Sequence, residues 1–216
     1  KIADEQMPRL AGLVTELHLT RLTINGNMVA MRIMPVVSIG KALVQVPPGS
    51  FLQATKAGEE ALATLVVNSL GKVKSVADLF CGIGPFALRI AEKAKVTAID
   101  NDKPAIASLA QAVRLTTGIK PLKAEVRDLM REPLVASELK EFDAVVFDPP
   151  RAGAEAQVKQ LAKSNVKTVV AVSCDPASFA RDAEILVGGG YKMKSLTAVD
   201  QFKWTSHVEI VGSFSR

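Results

Sequence analysis

The chain has 216 residues, room for one large domain or for one domain plus part of another. With 48% hydrophobic and 23% charged residues it sits near globular averages, which argues against a disordered chain, and no uninterrupted apolar run reaches the length of a membrane span. A net charge of +5 permits a polyanionic partner without demanding one, and two cysteines, Cys81 and Cys174, are too few for a disulfide framework or a metal cluster, so the expectation is a reducing, cytoplasmic setting. The chain opens on Lys1 rather than Met and no secretory signal leads it; the expectation is a fragment whose upstream part is missing.

Residues 14–20 and 28–34 alternate apolar and polar side chains on either side of Ile24-Asn25-Gly26-Asn27, and Asn-Gly between two such runs signals a β-hairpin. Residues 41–46 read as a third strand, closed by Pro47-Pro48-Gly49. Three strands without a helix make a poor core, so residues 1–48 are predicted to be the C-terminal part of a β-rich subdomain. From Phe51 the pattern changes: residues 54–70 carry apolar positions at helical spacing, with Gly71 as a stop. Strands are then predicted at 73–80, 95–100, 119–124, 142–147 and 166–173, interleaved with helices at 85–93, 103–117, 155–163 and 176–186. The last two strands, 192–199 and 207–214, have no helix between them and are predicted to pair antiparallel at one edge. Residues 49–216 therefore read as an α/β domain, doubly wound on a mostly parallel seven-stranded sheet.

Four places in that domain carry chemistry. The first strand runs into Asp78-Leu79-Phe80-Cys81-Gly82-Ile83-Gly84-Pro85-Phe86, a glycine loop where strand turns to helix. A third glycine at the spacing of the NAD fingerprint is missing, which argues against a nicotinamide enzyme. The form that remains, with Gly82 and Gly84 in the loop and Asp100 ending the next strand as an acceptor for ribose hydroxyls, is that of an S-adenosylmethionine (SAM) site. Asp148-Pro149-Pro150-Arg151 follows an apolar strand; its prolines stiffen a loop at the carboxyl end of the sheet, suited to holding a flat base, and Arg151 suits a phosphate. Cys174 ends the next strand, just before a helix start whose amides are expected to stabilise a thiolate. Taken alone, Cys174 reads better as a packed strand residue than as a nucleophile; its place beside the cofactor loop and the adjacent Asp175-Pro176 turn shift the reading to a nucleophile, whereas Cys81 reads as packing. Glu209 lies in the apolar run 208–211, where burial would raise its pKa and fit it for proton abstraction. Scattered basic residues, Arg151, Lys159, Lys163, Lys167, Arg181, Lys192, Lys194 and Lys203, suit a phosphate-tracking face or plain solvation.

These segments together resemble the RNA (uracil-5-)-methyltransferases. The resemblance runs from about Pro47 to the C-terminus and rests on five stretches in order: 47–55 around Phe51-Leu52-Gln53; the loop from Asp78 to Phe86; Asp148 to Gly153; Ser173-Cys174-Asp175-Pro176 with Ala180-Arg181-Asp182; and Asp200-Gln201-Phe202 followed by Thr205-Ser206-His207-Val208-Glu209. It implies a class I, Rossmann-like methyltransferase that uses SAM and acts on tRNA or rRNA. Carried over position by position, it makes Cys174 the nucleophile and Glu209 the proton acceptor. It also places Gln53, Phe80, Gly82, Gly84, Asp100 and Asp148 in the cofactor and uracil pocket, with Asp128 where the family contacts adenine. Pro85, Thr55, Asp175 and Lys203 depart from the family pattern without removing a reacting group. An amino-group methyltransferase of nucleic acid using the Asp-Pro-Pro loop, with no need of a thiol, is the alternative.

Overall fold

The computed structural model describes residues 4–202 and 204–216. Its centre is a seven-stranded sheet built from β5 (Ser75–Leu79), β6 (Lys95–Asp100), β7 (Leu122–Val126), β8 (Ala144–Phe147), β9 (Thr168–Ser173), β10 (Lys192–Val199) and β11 (Glu209–Ser215). The spatial order is β10-β11-β9-β8-β5-β6-β7. Strands β5 to β9 are mutually parallel, while β11 runs antiparallel between β9 and β10. The predicted doubly wound domain and its antiparallel edge are thus what the chain forms.

Strand periodicity divides the core in two. Along β8, Ala144 and Val146 join the layer under α2 (Lys56–Leu70) and α4 (Lys103–Leu115), whereas Val145 and Phe147 join the layer under α5 (Glu155–Ala162) and α6 (Pro176–Gly188). Full burial of a side chain such as Phe147 or Leu79 contributes roughly 1.5–3 kcal/mol, so both layers are needed. The helices start where their sequences say they should. Thr55 accepts from the Gly58 amide at 3.0 Å, Asp102 from Ala105 at 3.1 Å and Asp175 from Ser178 at 2.8 Å, and Pro104 and Pro176 occupy first-turn positions of the latter two helices. No helix among the described residues is long and apolar enough to cross a membrane.

The beginning of the chain differs from its prediction. Residues 14–20 do not form a strand: α1 (Met7–Glu16) runs through Val14, and the chain then turns at His18. Met7, Leu10, Ala11 and Val14 stand at helical spacing, a period hidden by the local alternation after Val14. The hairpin itself is present as β1 (Arg21–Ile24) and β2 (Asn27–Met31), turned through Asn25 and Gly26, both at positive φ. The strand expected at 41–46 is β4 (Ala42–Gln45), and its unpredicted partner is β3 (Val36–Ile39). Ile39, Ala42 and Val44 are buried in the α2–α4 layer, and the Ser108 hydroxyl on α4 donates to the Gln45 carbonyl, so this second hairpin is bonded into the main core. At the far edge, β7 begins three residues later than the predicted 119–124.

Candidate functional site

The strand order reverses at β5, whose neighbours β6 and β8 lead away in opposite directions. Beyond the carboxyl ends of β5, β6, β8 and β9, at that switch point, lies a cleft of about 550 Å³. Phe80 and Gly82 enter it from the loop after β5, Asp100 from the end of β6, Asp128 from the turn after β7, Asp148 from β8 and Cys174 from β9. Gln53 joins from the segment before α2 and Glu209 from the start of β11.

The glycine loop is held in conformations that side chains rarely adopt. Phe80 has φ of 60° and Gly82 of 52°, and a bulky residue in the left-handed region marks a site where surroundings override local preference. The Gly82 amide donates to Asp100 Oδ2 and the Asp102 amide to Oδ1, each at 2.8 Å. Asp100 is thereby fixed at the cleft wall, with one lone pair on each oxygen left for a ligand hydroxyl. A Cβ on Gly82 would meet nothing within 4 Å, so the backbone there is open to a close-packed ligand. Asp128 Oδ1 closes its own turn by accepting from Met130 and Arg131.

Gly84 does not belong to the cleft wall. With φ of 89°, it faces α4, where a Cβ would sit 2.6 Å from Leu109 Cδ1. The glycine spacing that suggested ligand contact at Gly84 is satisfied by packing instead. Gly84→Ala should therefore destabilise the fold by about 1–3 kcal/mol, read as a lower urea midpoint; an unchanged midpoint would contradict this placement.

Cys174 and Glu209 are brought together by the pairing of β9 with β11. The ladder ends with Ser173 opposite Ile210; Cys174 follows Ser173 and Glu209 precedes Ile210, so both lie at that end of the sheet, where both line the cleft. Glu209 is 3% exposed and Cys174 half-buried. Burial raises the Glu209 pKa, while a hydrogen bond from Gln201 offsets part of that rise. Asp148 is pushed up to about 7, by burial first and then by the Glu209 charge. The thiol of Cys174 is also raised, by burial, then Glu209, then Asp148, with Arg151 acting the other way. This corrects the expectation of a thiolate stabilised by the helix start. The amide that opens α6 is taken by the Asp175 carboxylate, and the sulfur lies instead among carboxylates. The resting group is a thiol, and it needs a base to become a nucleophile.

The Asp148 shift has a testable sign. Its carboxyl titrates at about 7 in the folded protein against an ordinary value of 3.8, so between these values the folded state holds a proton that the unfolded state releases. Stability from this group is complete below the lower value and is lost as pH rises through the upper one. Asp148→Asn removes the dependence. Its melting temperature relative to the parent should rise between about pH 4 and pH 8, measured by thermal denaturation; a constant difference would contradict the buried, proton-holding carboxyl.

Two residues of this region escaped the sequence reading. Gln201 Nε2 donates to Gln53 Oε1 at 2.5 Å, and Gln201 packs so closely on Gly58 that any Cβ there would strike its side chain. It ties the segment before α2 to the loop before Glu209. The sequence signal was the Asp200-Gln201-Phe202 stretch, to which no individual role was attached. The other is Asp78, fully buried, its pKa raised well above the ordinary range by burial and then by Asp148, with the Ala87 amide acting the other way. A carboxylate inside the apolar strand 76–79 was its signal. Of the basic residues, Lys159 pairs with Glu155, Arg181 with Asp182 and the Ala152 carbonyl, and Arg151 lies at the cleft with Nη2 3.4 Å from His207 Nδ1. Lys203 lies outside the described residues.

A family model described as tRNA (Uracil-5-)-methyltransferase matches residues 18–214. The chain belongs to this family. An uncharacterized RNA methyltransferase of Brucella suis biovar 1 is 50% identical over 216 residues, covering 100% of this chain and 52% of that protein. The 23S rRNA (uracil(1939)-C(5))-methyltransferase RlmD of Shewanella sediminis is 30% identical, covering 99% of this chain and 50% of its own length. The chain thus spans about half the length of the curated relatives it matches. The crystal structure of Pyrococcus abyssi tRNA (uracil-54, C5)-methyltransferase in complex with S-adenosyl-L-homocysteine superposes with a TM-score of 0.72 at 28% identity, covering 85% of this chain and 44% of that one. The tRNA m1G37 methyltransferase of M. jannaschii, 13% identical with a TM-score of 0.68 over 100% of this chain and 67% of that one, shares the fold. The Rossmann-like class I methyltransferase architecture inferred from the sequence is therefore the one present, and it is the architecture of SAM-dependent enzymes.

Proposed function

We propose that this protein transfers a methyl group from SAM to carbon 5 of a uridine in rRNA or tRNA, through a covalent bond between Cys174 and the base, with residues 49–216 as the catalytic domain. The observation that carries the reading is that Cys174 and Glu209, at the end of the β9–β11 ladder, line one cleft with the Gly82–Asp100 cradle.

The cradle fits the cofactor. Asp100 has free lone pairs for ribose hydroxyls, Gly82 leaves open backbone, Phe80 offers a ring at the wall, and Asp128 closes the side after β7. SAM, when bound, supplies an electrophilic methyl group. Carbon 5 of uracil is too weak a nucleophile to take it unaided. The Cys174 thiol gives its proton to the neighbouring Asp148 carboxylate, which leaves Glu209 ionised for the later step. The sulfur bonds to carbon 6, and the π electrons move to carbon 5 and oxygen 4 as an enolate. Carbon 5 takes the methyl group as the donor's sulfur–methyl bond breaks, leaving S-adenosyl-L-homocysteine; Glu209 then takes the remaining proton of carbon 5, that electron pair re-forms the 5,6 double bond, and the carbon–sulfur bond breaks to return Cys174 as a thiolate. The raised pKa of Glu209 makes it a stronger base for that proton than an ordinary carboxylate. Reaching both faces of the base requires the nucleotide to leave its stack.

Incubation with tritiated SAM and bulk tRNA and rRNA, followed by nucleoside analysis, tests the reading. The expected product is 5-methyluridine in one RNA class. Label in a methylated exocyclic amine would instead support amino-group transfer at the Asp148-Pro149-Pro150 loop.

A further inference from the structure

Trp204 is the only tryptophan of the chain, and it is fully exposed. Its backbone lies at φ of 68°, the left-handed region, where a bulky side chain is strained. Neither the exposed indole nor the strained backbone serves the fold, and strain held in place by its surroundings points to function. Trp204 sits between β10 and β11, and described residues on either side of it are bonded to one another. Asp200 Oδ1 accepts from the Phe202 amide at 3.1 Å, and the Thr205 hydroxyl donates to the Phe202 carbonyl at 2.9 Å. The His207 amide donates to Thr205 Oγ1 at 3.2 Å, and the His207 ring meets the edge of Phe202 with centroids 6.2 Å apart. On one flank Gln201 bonds Gln53 of the cleft wall; on the other His207 faces Arg151, also of the cleft wall, and the loop runs into Glu209.

Resting on the function proposed above, we propose that Trp204 is a stacking platform for a nucleobase of the substrate RNA adjoining the uridine in the cleft. A nucleotide turned out of its stack leaves a neighbour that has lost a π partner. An exposed indole beside the cleft replaces that partner without reading sequence, because every base has a π face. Arg151, exposed at the same rim, is the cation available to the connecting phosphate. The platform therefore contributes to RNA binding and leaves SAM binding and the chemical step alone.

Because the chain has one tryptophan, its emission reports this site directly. The purified protein is titrated with a fluorescein-labelled, uridine-containing RNA stem-loop, following both label anisotropy and tryptophan emission. The expected result is emission quenching that saturates with the anisotropy change. Trp204→Ala should lose about tenfold or more in RNA affinity and Trp204→Phe should keep most of it. KM for RNA should rise in the alanine variant while kcat at saturating RNA and SAM affinity stay unchanged. RNA binding that leaves the emission untouched, or equal RNA affinity in the alanine variant, overturns the platform while sparing the proposed function, and hands the indole to a protein partner. Absence of RNA binding by the parent, with SAM still bound, overturns both.

Discussion

Cys174→Ala should abolish methyl transfer, by a factor on the order of 10³ or more, while SAM binds with unchanged affinity. The two effects separate because the groups sit on different strands. The sulfur is at the end of β9, whereas the cofactor cradle is made by the loop after β5 and by Asp100 on β6. Removing a half-buried sulfur deletes no hydrogen bond of the cradle, so calorimetric titration with SAM should not distinguish variant from parent. Carbon 5 loses the only means proposed here for its activation. Turnover at the parental rate would remove the thiol from the mechanism and favour amino-group transfer.

Glu209→Gln should stop the reaction one step later. The substitution keeps shape and hydrogen-bonding capacity in a site that is 3% exposed, but it cannot accept the proton of carbon 5. It also removes the second largest cause of the raised Cys174 pKa, so the thiol should ionise more readily. The variant should therefore form the bond to carbon 6 and fail to resolve it. Turnover should fall by roughly 10²–10⁴, and a denaturation-resistant protein–RNA band should accumulate with SAM present. Product release at the normal rate, with no such band, would show that another group takes the proton.

The parallel sheet was legible because apolar runs such as 144–147 and cap signals such as Asp102-Lys103-Pro104 and Asp175-Pro176 agree with the tertiary structure. The start of the chain was not. Its short helix and hairpin carry few buried positions, so two periods compete over residues 10–20, and β3 shows only its pairing to β4 as a reason to be a strand. At the site, strand ends revealed Asp100, Asp148 and Cys174, because a reactive side chain after an apolar strand lands at the switch point by topology alone. What no strand pattern conveys is electrostatics between distant segments. The proximity of Glu209 and Asp148 to Cys174 reverses the effect expected from the helix start, and the Gln201–Gln53 bond spans 148 residues of sequence. At Gly84, glycine spacing reports a need for a small side chain, and the close neighbour that imposes it is Leu109.

The most direct measurement uses RNA in which uridine is replaced by 5-fluorouridine. Fluorine cannot leave carbon 5 as a cation, so Glu209 has no proton to take and the adduct cannot resolve. The protein is incubated with this RNA and SAM, digested, and examined by mass spectrometry. The expected result is a methylated, fluorinated uridine joined to the peptide that contains Cys174, formed only when SAM is added. Formation of 5-methyluridine on ordinary RNA, with no nucleotide joined to Cys174 on the fluorinated one, would contradict the account.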